Sequence, residues 1–220
     1  MDASLHTVLQ RTFACSGEVA HSIACRASDR RYPVKAVIVR QGDRGNTTFL
    51  LVAGLAHALS YGIDGRLVLL YEIVPGDFFG AITSTVATPH DADVVAVEHV
   101  RAAVFLAKDF LELIETQGCV AVVVSRALLR QLRATAMRVM ERTTLSAAGR
   151  VHAELLRLAR LVDGSTIRPA PVLSALAIRV QSTRETVSRT IGALERRGII
   201  RRESDALIIV APHRLEELIV

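Results

Sequence analysis

The sequence predicts an α+β fold in three parts: a β-rich jelly roll in front, one long helix in the middle and a winged helix-turn-helix at the back. Three observations carry this. Short apolar runs broken by Gly and Asp turns fill residues 32–105, the pattern of antiparallel strands in a sandwich or jelly roll. Residues 120–144 contain neither glycine nor proline and repeat their apolar positions at helical spacing. Residues 171–210 read as two helices joined by a tight turn and followed by a hairpin.

Composition sets the outer bounds. Half of the 220 residues are hydrophobic, enough to bury a sizeable core in one or two domains. There is no uncharged apolar run of about 18 residues, and the first residues, MDASLHTVLQR, lack the basic-then-apolar layout of a signal peptide. A soluble, cytoplasmic protein with no membrane association is expected. Cys15, Cys25 and Cys119 are odd in number and widely separated, so they make neither a disulfide framework nor a CxxC metal pair, and reduced, structural thiols are expected. The net charge of +5 is unevenly placed: residues 146–220 carry 12 arginines against 8 acids, while residues 1–145 carry 15 basic against 14 acidic residues. The excess lies in the segment read as a helix-turn-helix, where it suits contact with a polyanion.

In chain order, residues 5–25 read as a helical lead-in, with Leu5, Val8, Leu9 and Phe13 at helical spacing. Strands follow at 35–40, 49–53, 54–60 and 67–74, with turns at Gln41-Gly42-Asp43, at 62–65 and at Pro75-Gly76-Asp77. His57, between Ala56 and Ala58 in a strand, is expected to point outward, and His90 and His99 to sit at the surface. A jelly roll can also house a metal enzyme, but that needs closely spaced His and Glu ligands, and no HxH or HxxxE cluster occurs in the strand region. In the long helix, Val122, Leu129, Leu132, Ala136, Val139 and Thr143 step by threes and fours after the first interval, with Leu128 beside them. Such a stripe is either a coiled-coil seam or an ordinary core-facing surface, and periodicity does not choose between them. Arg126, Arg130, Arg133 and Arg138 lie on its other faces. Ser146-Ala147-Ala148-Gly149 makes a hinge into a further helix over 150–161.

At the back, a short helix over 171–180 places Leu173, Leu176, Ala177 and Val180 on one side, and Gln181 lies at the turn. Ser182 with Glu185 has the capping-box spacing for the next helix. In that helix Val187, Ile191 and Leu194 face a core, while Arg184, Glu185, Ser188 and Arg189 fall on the wet side. Arginine can donate two parallel bonds to guanine O6 and N7, and glutamate can accept from cytosine N4, so this face has base-reading chemistry. A solvated amphipathic helix of mixed charge would show the same periodicity. Gly198, after the basic Arg196 and Arg197, ends the helix. Residues 199–201 and 207–210 then form the wing around Glu203, Ser204 and Asp205.

The segment STRETVSRTIGALERRGIIRR, with the hairpin after it, resembles the winged helix-turn-helix of the cyclic-AMP receptor protein / fumarate-nitrate-reduction regulator (CRP/FNR) superfamily of bacterial transcription factors. The receptor branch of that superfamily reads DNA with an arginine, the next glutamate and an arginine four further on, which fall here on Arg184, Glu185 and Arg189. The resemblance implies a DNA-contacting set of Ser182, Thr183, Arg184, Glu185, Ser188 and Arg189. Gln181 departs from it, standing where a glycine is common, and must then accept a left-handed backbone. More loosely, Gly42-Asp43, Gly54 and Gly76-Asp77-Phe78-Phe79-Gly80 follow the order of the superfamily's cyclic-nucleotide-binding-like sensor domain.

The resemblance further implies a division into a sensor (1–116), a dimerisation helix (117–145) and a DNA-binding domain (146–220). It implies a dimer interface through Leu128, Leu129, Leu132, Ala136 and Val139, and an effector pocket at Gly76, Asp77, Phe78, Gly80 and Thr135. Two pocket positions differ. Ala81 stands where cyclic-nucleotide binders carry a ribose-binding glutamate, and Asp91-Ala92 stands where they carry an arginine and a serine or threonine for the cyclic phosphate. A carboxylate there repels a phosphodiester, so cyclic AMP is not the expected effector. Iron–sulfur members need four cysteines, and only Cys15 and Cys25 lie near the N-terminus. The reading is a homodimeric transcription regulator rather than an enzyme, with a palindromic double-stranded DNA operator and RNA polymerase as partners. No cofactor is identified; a cyclic dinucleotide, a haem, a redox change at a cysteine or no effector at all remain open. The alternatives are a cyclic-nucleotide or cyclic-dinucleotide sensor with a divergent pocket, or a metal-dependent jelly-roll enzyme.

Overall fold

A computed structural model describes residues 4–62, 67–82, 88–160 and 162–219. The chain divides into two compact units, Met1–Thr135 and Ala136–Val220. The first opens on two helices, α1 (Leu5–Phe13) and α2 (Gly17–Cys25), whose N-cap serines, Ser4 and Ser16, accept from the amides of Thr7 and Val19. Ten strands follow: β1 (Ala27–Tyr32), β2 (Val37–Val39), β3 (Arg44–Gly45), β4 (Thr47–Ala53), β5 (Ala56–Tyr61), β6 (Leu67–Ile73), β7 (Phe78–Gly80), β8 (Thr88–Pro89), β9 (Asp93–Ala96) and β10 (Val100–Leu106). They form two four-stranded antiparallel sheets, ordered β1-β10-β4-β7 and β2-β9-β5-β6, with β3 and β8 as a small extra ladder. This is the expected jelly roll.

Strand alternation builds two cores on either side of one sheet. Phe49 and Leu51 of β4, Phe79 of β7 and Ala102 of β10 meet Val39, Ala56, Ala58, Ile73 and Val94 inside the roll. Their neighbours Leu50, Phe78, Ala103 and Phe105 point the other way, against Leu9 and Phe13 of α1, Ile23 of α2 and the helices that follow the roll. The central strands are therefore buried on both faces, which explains the nearly unbroken apolar run TTFLLVA. The sequence showed no strand at 27–32, and the reason is visible: β1 is an edge strand with exposed Ser28, Asp29, Arg30 and Arg31. The run expected at 54–60 begins as a strand only at Ala56, because Gly54 (φ 86°) turns the chain so tightly that a Cβ would collide with the His99 carbonyl. Turn residues 63–65, and 83–87 of the stretch compared with the cyclic-nucleotide loop, lie outside the described residues.

After β10 come α3 (Ala107–Thr116) and α4 (Gly118–Thr144), a 27-residue helix that runs from the first unit into the second. One face of α4, Val120, Val124 and Ala127, is buried in the core outside the roll. The stripe singled out from the sequence lies elsewhere on the helix: Leu128, Leu129, Ala136 and Val139 are exposed, and Leu132 is 65% exposed.

The second unit contains the end of α4, then α5 (Ala147–Arg160), β11 (Thr166–Ile167), α6 (Leu173–Arg179), α7 (Arg184–Arg196), β12 (Ile200–Arg202), β13 (Leu207–Ile209) and α8 (Pro212–Glu216). Leu161, expected to end α5, is outside the described residues. Val151, Leu155 and Ala159 of α5 pack with Leu176 of α6, Val187, Ile191 and Leu194 of α7, and Leu207 and Ile209 of β13 in one core. The wing has three strands, ordered β11-β13-β12, and not the two read from the sequence. The two-residue β11 is too short to leave a periodic signal.

Candidate nucleic-acid interface

Between α6 and α7 the chain turns on Gln181, which adopts φ 50°. The left-handed conformation foreseen for this non-glycine residue is present. The amide of Ser182 donates back to the Ala177 carbonyl at 2.9 Å and closes the turn. The N-cap is Thr183, not Ser182: its hydroxyl accepts from the Thr186 amide at 3.1 Å, and the helix starts one residue later than the capping-box spacing indicated. The misreading has a simple cause, since Ser182 and Thr183 are adjacent residues able to cap and the Glu185 spacing favours the first.

From that cap, Val187, Ile191 and Leu194 turn into the core, joined by Thr190, whose hydroxyl donates to the Thr186 carbonyl at 2.9 Å. Arg184, Glu185, Ser188 and Arg189 all lie exposed on the other side, with Thr183 exposed at the helix start and Ser182 half-buried. The nearest Arg189–Glu185 approach is 3.8 Å with both side chains mostly in water, an interaction of a few tenths of a kcal/mol that leaves either free to turn toward a base edge.

The turn is braced from behind by Arg150 of α5. Its guanidinium donates to the carbonyls of Val180 (2.9 Å) and Gln181 (3.4 Å) in the turn, and to Leu145 (3.0 Å) in the hinge after α4. Sequence reading missed this residue, because bonds to backbone carbonyls carry no side-chain pattern. His152, buried nearby, faces the Leu218 carbonyl through Nδ1 at 3.0 Å and so carries its proton there. Burial pushes its pKa below the ordinary imidazole value.

In the first unit the residues implied as an effector pocket do not share one surface. Asp77 is 4% exposed, with Oδ2 accepting from the Val74 amide at 3.1 Å and Oδ1 from Arg130 at 3.0 Å. Arg130 also donates to the Gly76 carbonyl at 3.2 Å, and Gln131 donates to that of Phe78 at 3.3 Å, so α4 holds this turn through its polar groups. Phe78 is not a pocket wall: its ring packs against Phe13 and Phe110 in the core. Gly80 (φ 86°) sits so close to the Thr47 carbonyl, at 2.5 Å from an added Cβ, that only glycine fits. Thr135 is exposed on α4. Ala81 is buried, with its carbonyl accepting from the Thr48 hydroxyl at 2.7 Å, whereas Asp91 is exposed. Burial raises the pKa of the Tyr71 phenol, helped by the negative charges of Asp91 and Asp77.

His57 points outward from the roll, as read, but is not left open to solvent. It lies on the face of β5 opposite Ala56 and Ala58, but its side chain is only 12% exposed and its Nε2 is 3.3 Å from Glu72 on β6. His90 is half-buried with its ring pressed against Gly45, while His99 is exposed. The thiol of Cys15 is pushed up chiefly by burial and then by the neighbouring Cys119.

Two family descriptions match the chain, a cyclic nucleotide-binding domain over residues 29–117 and a Crp-like helix-turn-helix domain over residues 149–218. The chain belongs to the CRP/FNR superfamily. As a member, it is a DNA-binding transcription regulator, with α6 and α7 as its helix-turn-helix. The cyclic AMP receptor protein of Thermus thermophilus is 29% identical to this CRP/FNR protein over 86% of the chain and 87% of its own length. Among solved structures, the c-di-GMP responsive global regulator CLP of Xanthomonas campestris superposes with a TM-score of 0.76 at 16% identity, covering 88% of this chain and 99% of its own. A CooA mutant from Carboxydothermus hydrogenoformans gives 0.77 at 18% identity, covering 100% and 97%. At such identities these structures speak for the fold alone.

Proposed function

We propose that the protein works as a homodimer that reads a palindromic operator through two copies of α7, and that cyclic AMP does not control it. The observation that carries this reading is the division of α7 into a buried apolar side and an exposed Arg184, Glu185, Ser188 and Arg189 side. Arg184 and Arg189 suit guanine and Glu185 suits cytosine, while Ser182 and Thr183 lie at the helix start, where hydroxyls and amides meet phosphates. Two such helices must enter major grooves one helical turn apart, which requires a two-fold partner.

The exposed stripe of α4 supports the dimer. Leu128, Leu129, Leu132, Ala136 and Val139 follow coiled-coil spacing on a face that the core does not cover. Burying one such leucine in a partner is worth about 1.5–3 kcal/mol, so the stripe has ample driving force. The curated relative is described as a cyclic AMP receptor protein, yet at the positions the resemblance assigns to ribose and phosphate this chain has Ala81 and Asp91. Losing two or more charge-assisted bonds at about 1.5–3 kcal/mol each moves a micromolar site to about millimolar or weaker. Thr135 offers at most a neutral bond of about 0.5–1.5 kcal/mol in return. The setting is the cytoplasm, the protein partner implied is RNA polymerase, and no catalytic role is assigned.

Sequencing the fragments that the purified protein retains from a random duplex pool, with and without a nucleotide panel, tests the reading. A palindromic motif recovered equally with and without cyclic AMP is expected. Recovery of single half-sites would remove the dimer, and recovery only with cyclic AMP would remove the claim about the effector.

A further inference from the structure

Beside the first half of α4 lies a cavity of about 410 Å³, lined by Thr12, Leu51, Val52, Pro75, Gly76, Val123, Arg126 and Arg130. Its volume falls in the range of small-molecule sites, about 300–1,000 Å³. Neither Ala81 nor Asp91 lines it. Val52, Pro75 and Val123 give aliphatic patches between the two guanidiniums, the Thr12 hydroxyl and the backbone polar groups of Leu51 and Gly76. Arg126 and Arg130 are four residues apart on α4, so they project to the same side, and like charges at that spacing oppose each other. Asp77, which pairs with Arg130 through Oδ1, also accepts from the Val74 amide through Oδ2. Arg126 has no hydrogen bond or ion pair among the described residues. Arg126 therefore brings to the lining a positive charge that no carboxylate among the described residues pairs, next to the aliphatic side chains of Val52, Pro75 and Val123.

We propose that this cavity binds a small organic carboxylate with an apolar body, the carboxylate held by Arg126 and Arg130 and the body by Val52, Pro75 and Val123, with Leu51 contributing only its backbone because its side chain is buried inside the roll. Two guanidiniums are matched to a planar anionic head group. A sugar or nucleobase fits poorly, because among the described lining residues Thr12 is the only other side chain able to hydrogen-bond it and unpaired buried polar groups are costly. Binding draws Arg130 between the ligand and the Gly76-Asp77 turn, and thereby links the roll to the helix that carries the exposed stripe. The site supplies an effector for the regulator proposed above, and rests on that reading only for its consequence at DNA.

Isothermal calorimetry of the full-length protein with sodium octanoate, 1-octanol, octylammonium and inorganic phosphate tests the site. Octanoate should bind at least tenfold more tightly than the alcohol, the amine or phosphate. Arg126→Gln and Arg130→Gln should each weaken octanoate at least tenfold and leave 1-octanol unchanged. Thermal denaturation without additives should show Arg126→Gln folded as the parent, since that side chain is exposed. Octanoate binding no more tightly than 1-octanol, or binding Arg126→Gln as well as the parent, overturns the proposal. Retention of specific DNA is measured in parallel with and without octanoate. Its absence in both overturns the regulator reading and leaves the site, whereas loss of the octanoate preference overturns the site and leaves the regulator.

Discussion

In α7, packing and reading are assigned to opposite sides of one helix: Val187, Ile191 and Leu194 hold it in place, and Arg184, Glu185, Ser188 and Arg189 remain in water. In the turn from Gly76 to Ala81 of the first unit they are not separated. Asp77 and Phe78 are committed to a salt bridge and a core, Gly80 to a close backbone approach, and Ala81 is buried. A surface of the first kind can change its exposed residues at little cost in stability. One of the second kind keeps its fold-determining residues even after its ligand chemistry has changed. This explains how a chain can retain GDFFG while carrying Ala81 and Asp91 where the resemblance places ribose and phosphate ligands.

The largest effect expected from breaking this contrast is at the α4 stripe. Leu132→Arg places a charge where a partner helix should bury a leucine, and removing one side of such packing while stranding a charge costs several kcal/mol. Sedimentation should show monomers, with affinity for a palindromic site falling at least a hundredfold; an unchanged dimer would place the interface elsewhere. Next in size is Arg150→Ala, which leaves the Val180, Gln181 and Leu145 carbonyls without their guanidinium donor. A loss of about 1.5–3 kcal/mol in chemical denaturation is expected, together with faster hydrogen exchange at the Ser182 amide. Unchanged exchange there would mean that the turn does not depend on Arg150. Smaller again, Arg189→Ala should weaken binding by about 1–3 kcal/mol at one base pair only. Equal losses on specific and random duplexes would reduce Arg189 to a backbone contact.

The smallest effect concerns acid. The neutral imidazole of His152 is favoured in the fold, so its pKa is lower there than in the unfolded chain. The unfolded state then binds more protons as the pH falls, and stability drops. The contribution is intact above the ordinary imidazole pKa of about 6.5 and is lost as pH falls through the lower folded value. His152→Gln, able to donate to the Leu218 carbonyl, should flatten that part of the stability curve; an unchanged curve would assign the acid sensitivity to other groups.

The same contrast governs how much could be read from sequence. Periodicity displayed α7 and the stripe of α4 because each has one face of each kind, and it displayed the interior strands through their apolar runs. It could not separate Ser182 from Thr183 as the cap, since both have the chemistry and only backbone geometry decides. It showed neither the charged edge strand β1 nor the two-residue β11. Phe78 sat inside a motif and was taken with the pocket, although alternation with Phe79 sends the two rings into different cores. Arg150, His57–Glu72 and the Arg126–Arg130 cavity depend on contacts between distant segments, which no local pattern records.

The DNA-reading unit is expected to work without cyclic AMP while the roll keeps its shape. Fluorescence anisotropy with the operator recovered from the random pool tests this most directly, titrating the protein with and without about 0.1 mM cyclic AMP, enough to fill a micromolar site and too little to fill a millimolar one. The account predicts specific binding in both titrations, with dissociation constants that agree within about twofold. Specific binding that appears only with cyclic AMP, or that tightens tenfold or more in its presence, would contradict it.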